Sequence, residues 1–268
     1  MPIRTIFNMA EDCARGERLG CAEFVRDYAG VARTLLEHYF PALAPEIDDH
    51  VVAVFRRAEA HNNAWFTGLK FTNEREFMMA FRDLVFTYGR EEARLPGPQL
   101  GQDEMRALVK DLNLLERELL WLVVKGYGAQ QVAAIMMNAA ATAEAVERLA
   151  AERLTTLTSG AAPQALTDYA RVLLEMAEQS RSEHCVSLKT FNNLVNGQIT
   201  WRERERAEEH TSDCFYCIDR FTAFQEMVRL RKDVPRLPAA KVDAVLAQLS
   251  CGAGKPRGGM LSRLFASH

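Results

Sequence analysis

The placement of proline constrains this chain more than any other feature of its sequence. The nine prolines stand at positions 2, 41, 45, 96, 98, 163, 235, 238 and 256, which leaves three long stretches without any. Proline stops helix propagation and removes a ladder hydrogen bond. Pro96-Gly97-Pro98, the run from Gly160 to Pro163, and the pair Pro235 and Pro238 therefore read as breaks. Within the stretches the apolar spacing is helical. Leu108, Leu112, Leu115 and Leu119 fall on one helix face, and Val132, Ile135, Met136, Val146, Leu149 and Leu154 continue the pattern. No alternating strand pattern occurs, so the predicted fold is all-α. The divisions expected are 1–95, 99–158 and 164–234, followed by a flexible tail over 235–268. The glycine-rich, basic last 17 residues carry the tail signal. Met260, Leu261, Leu264 and Phe265 could form a short apolar face there.

Composition sets the outer bounds. The 268 residues are 48% hydrophobic and 26% charged, enough apolar material for packed cores. A formal net charge of -3 disfavours a strongly basic nucleic-acid binder, although a local patch is compatible with it. The first twenty residues show no apolar signal-peptide core. The longest strongly apolar run, Leu119 to Val124, is far short of the roughly 20 residues that cross a bilayer. A cytoplasmic protein without a membrane partner is expected. In a reducing compartment the six cysteines point to metal or redox chemistry where they cluster.

The strongest chemical signal is His210-x-x-x-Cys214-x-x-Cys217, with Cys185 as a fourth donor. Three sulfurs and one nitrogen suit tetrahedral Zn2+, and four protein ligands make a closed, structural site. His184 stands beside Cys185 and could replace it. Thr200-x-x-Glu203 is a capping box, so a helix should start at Trp201 and carry His210 near its end. Thr211-Ser212-Asp213 reads as a break, with Ser212 or Asp213 capping a second helix near Cys214. Cys13, Cys21 and Cys251 have no such company in the sequence and read as small isolated thiols.

The order Cys185, Leu194 to Gly197, Thr200, Glu203, His210, Cys214, Cys217 resembles the zinc-binding anti-sigma domain of bacteria over about residues 180 to 232. The resemblance implies that the helix after Cys217, Ile218 to Arg231, packs on a sigma factor. In some members of that family thiol oxidation expels zinc and frees the partner, which thiolate chemistry makes plausible here.

Residues 102 to 157 read as a helix-turn-helix. Leu112 to Leu122 give a supporting helix, Gly126 to Ile135 a turn and short helix, and a turn near Asn138 leads to a helix from about Thr142. This run resembles region 4 of the extracytoplasmic-function sigma factors. Asp49 to Phe55 and Phe77 to Leu84, running on to Arg94, resemble region 2, so the sigma-like match spans about 20 to 157. The resemblance implies a region 2-like helical bundle, a region 4-like helix-turn-helix domain and a small zinc-clipped helical domain. It also implies polymerase contact through Asp49 and Phe55, and DNA contact through Thr142, Arg148 and Arg153.

The departures from that pattern concern function. Val52 stands where the family has glutamine, Ala80 where it has tryptophan and Thr87 where it has asparagine. The recognition helix offers Glu144, Glu147 and Glu152 against Arg148 and Arg153, whereas phosphate neutralisation supplies most nucleic-acid affinity. Trp65, Phe66, Phe71, Phe77, Phe81, Phe86 and Tyr88 could include stacking partners for melted bases, but the near-helical spacing of Phe77, Phe81 and Phe86 favours core packing. Two functions follow as expectations. One is a sigma-like transcription regulator that engages core RNA polymerase and promoter DNA under the control of its zinc domain. The other is a sigma-derived or anti-sigma-type module that binds a protein, such as a separate sigma factor, without reading DNA. An enzyme is not expected, since no nucleophile elbow, phosphate-cradling loop or helical HExxH is present.

Overall fold

Helical periodicity and local capping are followed along the chain. The computed structural model describes residues 5–93, 102–158 and 164–251. All regular structure among them is helical, as the spacing predicts. The α-helices are α1 (Ile6–Ala14), α2 (Arg18–Tyr39), α3 (Ile47–Gly68), α4 (Glu74–Ala93), α5 (Gln102–Val109), α6 (Leu114–Val124), α7 (Ala129–Met136), α8 (Ala143–Thr158), α9 (Gln164–Gln179), α10 (Leu188–Val195), α11 (Trp201–Asp213), α12 (Phe215–Asp233) and α13 (Ala239–Leu246). A 3₁₀ turn, Pro41–Glu46, separates α2 from α3. No helix among the described residues is long and apolar enough to cross a membrane. The chain forms two compact units, one of residues 1–92 with 234–268 and one of residues 93–233.

The first unit is organised around Phe24. Its ring lies 4.8 Å from that of Phe55, 5.1 Å from Phe66 and 5.3 Å from Phe81. Edge-on packing of this kind adds to the area that the rings bury. Phe77, Phe81 and Phe86 are buried, so the near-helical spacing of these aromatics serves the core. Phe55 is also buried here, and its side chain packs against Phe24 rather than presenting a contact surface, whereas Asp49 lies exposed on the first turn of α3. The Arg82 guanidinium, buried with them, stacks 3.9 Å from the Phe86 centroid. Gly89 allows the closest approach in the unit, because a Cβ there would sit 2.4 Å from the Phe40 ring.

Helix α3 reverses its hand for three residues, His61, Asn62 and Asn63, all with positive φ. Asparagine tolerates this left-handed region better than most residues. The Asn63 side-chain amide donates to the Ala14 carbonyl at 3.3 Å, and the chain re-enters the core at Phe66.

The tail expected from 235 onward is ordered through 251. Helix α13 packs on α2. The Leu237 amide donates to the Arg26 carbonyl at 2.8 Å, and Val242, Leu246 and Leu249 are buried. Apolar spacing in 242–249 outweighs the composition of the last 17 residues, which lie outside the described residues, as do Met260, Leu261, Leu264 and Phe265. The breaks at Pro96 to Pro98 and Gly160 to Pro163 lie outside them too.

In the second unit, Asn113 caps α6 in a reciprocal box with Glu116 at 3.0 Å in both directions. Gly126, with φ of 94°, ends that helix, and the Gly128 amide donates to Gln131 at 2.9 Å to open α7. Met137 takes the left-handed turn, and the Ala145 amide donates to Thr142 at 3.2 Å to start α8. The helices expected over 112–157 are thus present as α6 to α8. Helix α12 lies against α6, α7 and α9 in the same unit, so the segments 99–158 and 164–234 share one packed body.

Candidate metal centre

The centre is built on three short pieces of chain. Thr200 and Glu203 form the predicted capping box, with the Thr200 amide donating to Glu203 at 3.0 Å and the Glu203 amide to the Thr200 hydroxyl at 3.4 Å. This fixes the start of α11, which carries His210 three turns later. The helix does not break at Thr211. The Thr211 hydroxyl donates to the Ala207 carbonyl at 2.6 Å and the Ser212 hydroxyl to the Glu208 carbonyl at 2.8 Å, so both side chains turn back into the helix. The break falls at Cys214, whose backbone is extended, and α12 begins at Phe215. The third piece is a turn closed by the Cys185 amide on the Ser182 carbonyl at 3.2 Å.

These pieces bring the four predicted residues together. One donor atom each from Cys185, His210, Cys214 and Cys217 lies within 4.8 Å of every other. The Cys185 and Cys214 sulfurs are 3.8 Å apart. A tetrahedral site with metal–sulfur bonds of about 2.3 Å has sulfur–sulfur edges of about 3.8 Å. His184 points away and is exposed, pairing with Glu183 at 3.8 Å, which leaves Cys185 as the donor at this position. Phe191 and Phe221 pack around the cysteines, with Val186 and Leu188 partly covering them.

The electrostatics of the thiols differ. Burial alone pushes Cys185 up, but the Ser182 amide and hydroxyl and the neighbouring thiols outweigh it, so its pKa is lowered. Burial raises Cys214 and Cys217, and for Cys217 the neighbouring thiolates add to the rise. The buried Nε2 of His210 has no hydrogen-bond partner. Buried polar atoms are almost always satisfied, so such an atom beside three thiols asks for a ligand. The cluster fits a metal ion, and its sulfur and imidazole donors select a soft or borderline cation.

Helix α12 connects this cluster to the end of α6. Asp219, one half-turn beyond Cys217, receives the Trp121 indole N–H at 3.1 Å and pairs with Lys125 at 2.5 Å. Both charged side chains are almost fully buried. Further along, the Tyr127 hydroxyl donates to Glu226. On the far side of α12, a cleft of about 790 Å³ is lined by Glu118, Met136, Phe191, Leu194, Arg204 and Glu208 among others.

The residues expected to meet DNA are placed on α8 or at its start. Thr142 is exposed and caps the helix, Arg148 is exposed and 4.0 Å from Glu152, and Arg153 is half-buried. The sequence reading did not assemble one further group. Cys21, Glu59 and Cys251 also hold donor atoms within 4.8 Å of one another. Their separations of 38 and 192 residues leave no motif to read. No family model, curated protein or solved structure is significantly similar to this chain.

Proposed function

We propose that this chain is a sigma-like regulator of bacterial transcription in which a zinc-clipped helix holds the helix-turn-helix in cis. Zn2+ is the ion best suited to the donor set, since three thiolates and one imidazole at tetrahedral spacing form a closed site. In that reading Cys185, His210, Cys214 and Cys217 hold the ion, which fixes the angle between α11 and α12. The observation that carries the proposal is the buried contact of Asp219 with Trp121 and Lys125. The helix that follows the metal ligands thereby docks on the supporting helix of the helix-turn-helix, where the anti-sigma resemblance puts a sigma factor.

A second reading is favoured by the outer face of α8, where Glu144, Glu147 and Glu152 are exposed and Arg148 faces Glu152. Phosphate would be repelled along much of this face. The chain would then bind core polymerase or a separate sigma factor as a protein-interaction module without reading DNA.

The test is a pull-down of zinc-loaded protein with core RNA polymerase, followed by a promoter-DNA shift on the complex. Binding to core with a salt-dependent, sequence-specific shift supports the sigma-like regulator. Binding to core or to a sigma factor without a shift supports the module. Failure to bind any of them refutes both.

A further inference from the structure

The first unit carries a cysteine cluster of its own, and we propose that Cys21, Cys251 and Glu59 form a second zinc-class metal site that latches the segment 239–251 onto the helices α2 and α3. The proposal stands apart from the transcriptional reading, because Cys21, Glu59 and Cys251 are not among the residues that carry the sigma-like or anti-sigma-like resemblance, although Cys21 and Glu59 lie within its span.

The geometry resembles that of the centre already described. The donor atoms of Cys21, Glu59 and Cys251 all lie within 4.8 Å of one another. The Cys21 sulfur is 4.0 Å from Glu59 Oε1. With metal–sulfur and metal–oxygen bonds of about 2.3 and 2.1 Å, the corresponding tetrahedral edge is about 3.6 Å, so a closure of a few tenths of an ångström suffices. Two sulfurs and a carboxylate oxygen are accepted zinc donors, and hard cations such as Mg2+ are disfavoured by the sulfur.

The three donors come from three separate pieces of chain, and the backbone holds each in place. Cys21 lies near the start of α2, which packs so closely on the end of α1 at Gly20 that a Cβ there would stand 2.9 Å from the Cys13 amide nitrogen. Glu59 sits on α3 before its left-handed reversal. Its carboxylate accepts the amides of Ser250 at 2.8 Å and Cys251 at 3.1 Å, while Arg56, one turn earlier, donates to the Gln248 carbonyl at 3.2 Å. Each oxygen of the carboxylate retains a lone pair for a cation. Both cysteines are buried, so their thiols are shielded from adventitious ligands. A disulfide between Cys21 and Cys251 would leave the carboxylate beside them unexplained.

The experiment uses the full chain, reduced and stripped of metal, titrated with Zn2+ against a chromophoric chelator and then weighed by native mass spectrometry. Wild type should take up two zinc ions. Cys185→Ser/Cys214→Ser should retain one, and Cys21→Ser/Cys251→Ser should also retain one. A wild-type stoichiometry of one that disappears with Cys185 and Cys214 overturns the second site. A stoichiometry of one that disappears with Cys21 and Cys251 supports it and overturns the first. If Cys21→Ser/Cys251→Ser does not fold, the wild-type count and that of Cys185→Ser/Cys214→Ser still decide. Two ions and then one support the second site, and one ion and then none overturn it.

Discussion

Glu118 lies in the packed body of the second unit, only 6% exposed, on the face of α6 that meets the cleft. Burial pushes its carboxyl from the ordinary 4.5 up to about 8, and the nearby Glu208 adds to the rise. At neutral pH it is therefore mainly protonated in the folded chain, but ionised in the unfolded one. A folded pKa above the unfolded value means that the stability associated with the neutral carboxyl is complete below pH 4.5. It is lost as pH rises through about 8. Each pKa unit is worth about 1.4 kcal/mol, so the whole span corresponds to about 5 kcal/mol. Between pH 6 and pH 8 the loss from this one side chain is about 2 kcal/mol. Glu118→Gln keeps the shape and removes the titration. Urea unfolding of wild type and variant at pH 6 and pH 8 isolates the effect, because other groups titrate alike in both. The variant's advantage should grow by about 2 kcal/mol over that range. An advantage that is the same at both pH values would show that Glu118 is ionised in the fold and refute the argument.

Three further outcomes follow from the packing and the thiols. Asp219→Asn removes a counter-charge from the buried Lys125 and should lower stability by about 3 kcal/mol in urea titrations, with a parallel loss of affinity for an ion at the Cys185–His210–Cys214–Cys217 cluster although Asp219 is not among its donors. In reduced, metal-free protein, Cys185 should be the first of the cluster to react with iodoacetamide at neutral pH, read by peptide mapping. Its pKa is lowered whereas those of Cys214 and Cys217 are raised, so equal rates for the three would contradict the assignment. Gly89→Ala drives a methyl into the Phe40 ring and should cost about 1–3 kcal/mol in a denaturant melt; a neutral result would mean that Phe40 packs more loosely on α4 than described.

Much of the second unit could be read from sequence because its determinants are local. The capping boxes at Asn113 and Thr200 each need a partner three residues away, and three of the four metal donors fall between His210 and Cys217. Errors arose where side chains act on their own backbone or over long distances. Thr211 and Ser212 read as breakers, yet their hydroxyls bond back to α11 and move its end to Cys214. The left-handed reversal at His61 to Asn63 is hinted at only by two adjacent asparagines. Cys21, Glu59 and Cys251 could not be associated, since the fold and not the spacing brings them together. The same holds for the order of 239–251, which depends on buried apolar contacts and on Arg56 and Glu59 of α3.

The metal cluster and the helix-turn-helix meet in a few residues of one helix. Cys214 and Cys217 fix the entry into α12, and Asp219 follows within the same turn. Asp219 has little freedom of its own, because its place between Trp121 and Lys125 depends on how α12 leaves Cys214. If that first turn shifts, the buried Lys125–Asp219 pair is weakened, which is costly inside a packed body. An ion held by the cluster and the ion pair that receives the turn would therefore stabilise each other, and the coupling would be equal in both directions. Anything that disturbs α6 should loosen the metal, and loss of the metal should unsettle α6. An α12 with no buried charge beneath it would bind the same ion without this consequence. Under the proposed function, the position of one carboxylate after Cys217 is what would let a metal at this cluster act on the helices on which it rests.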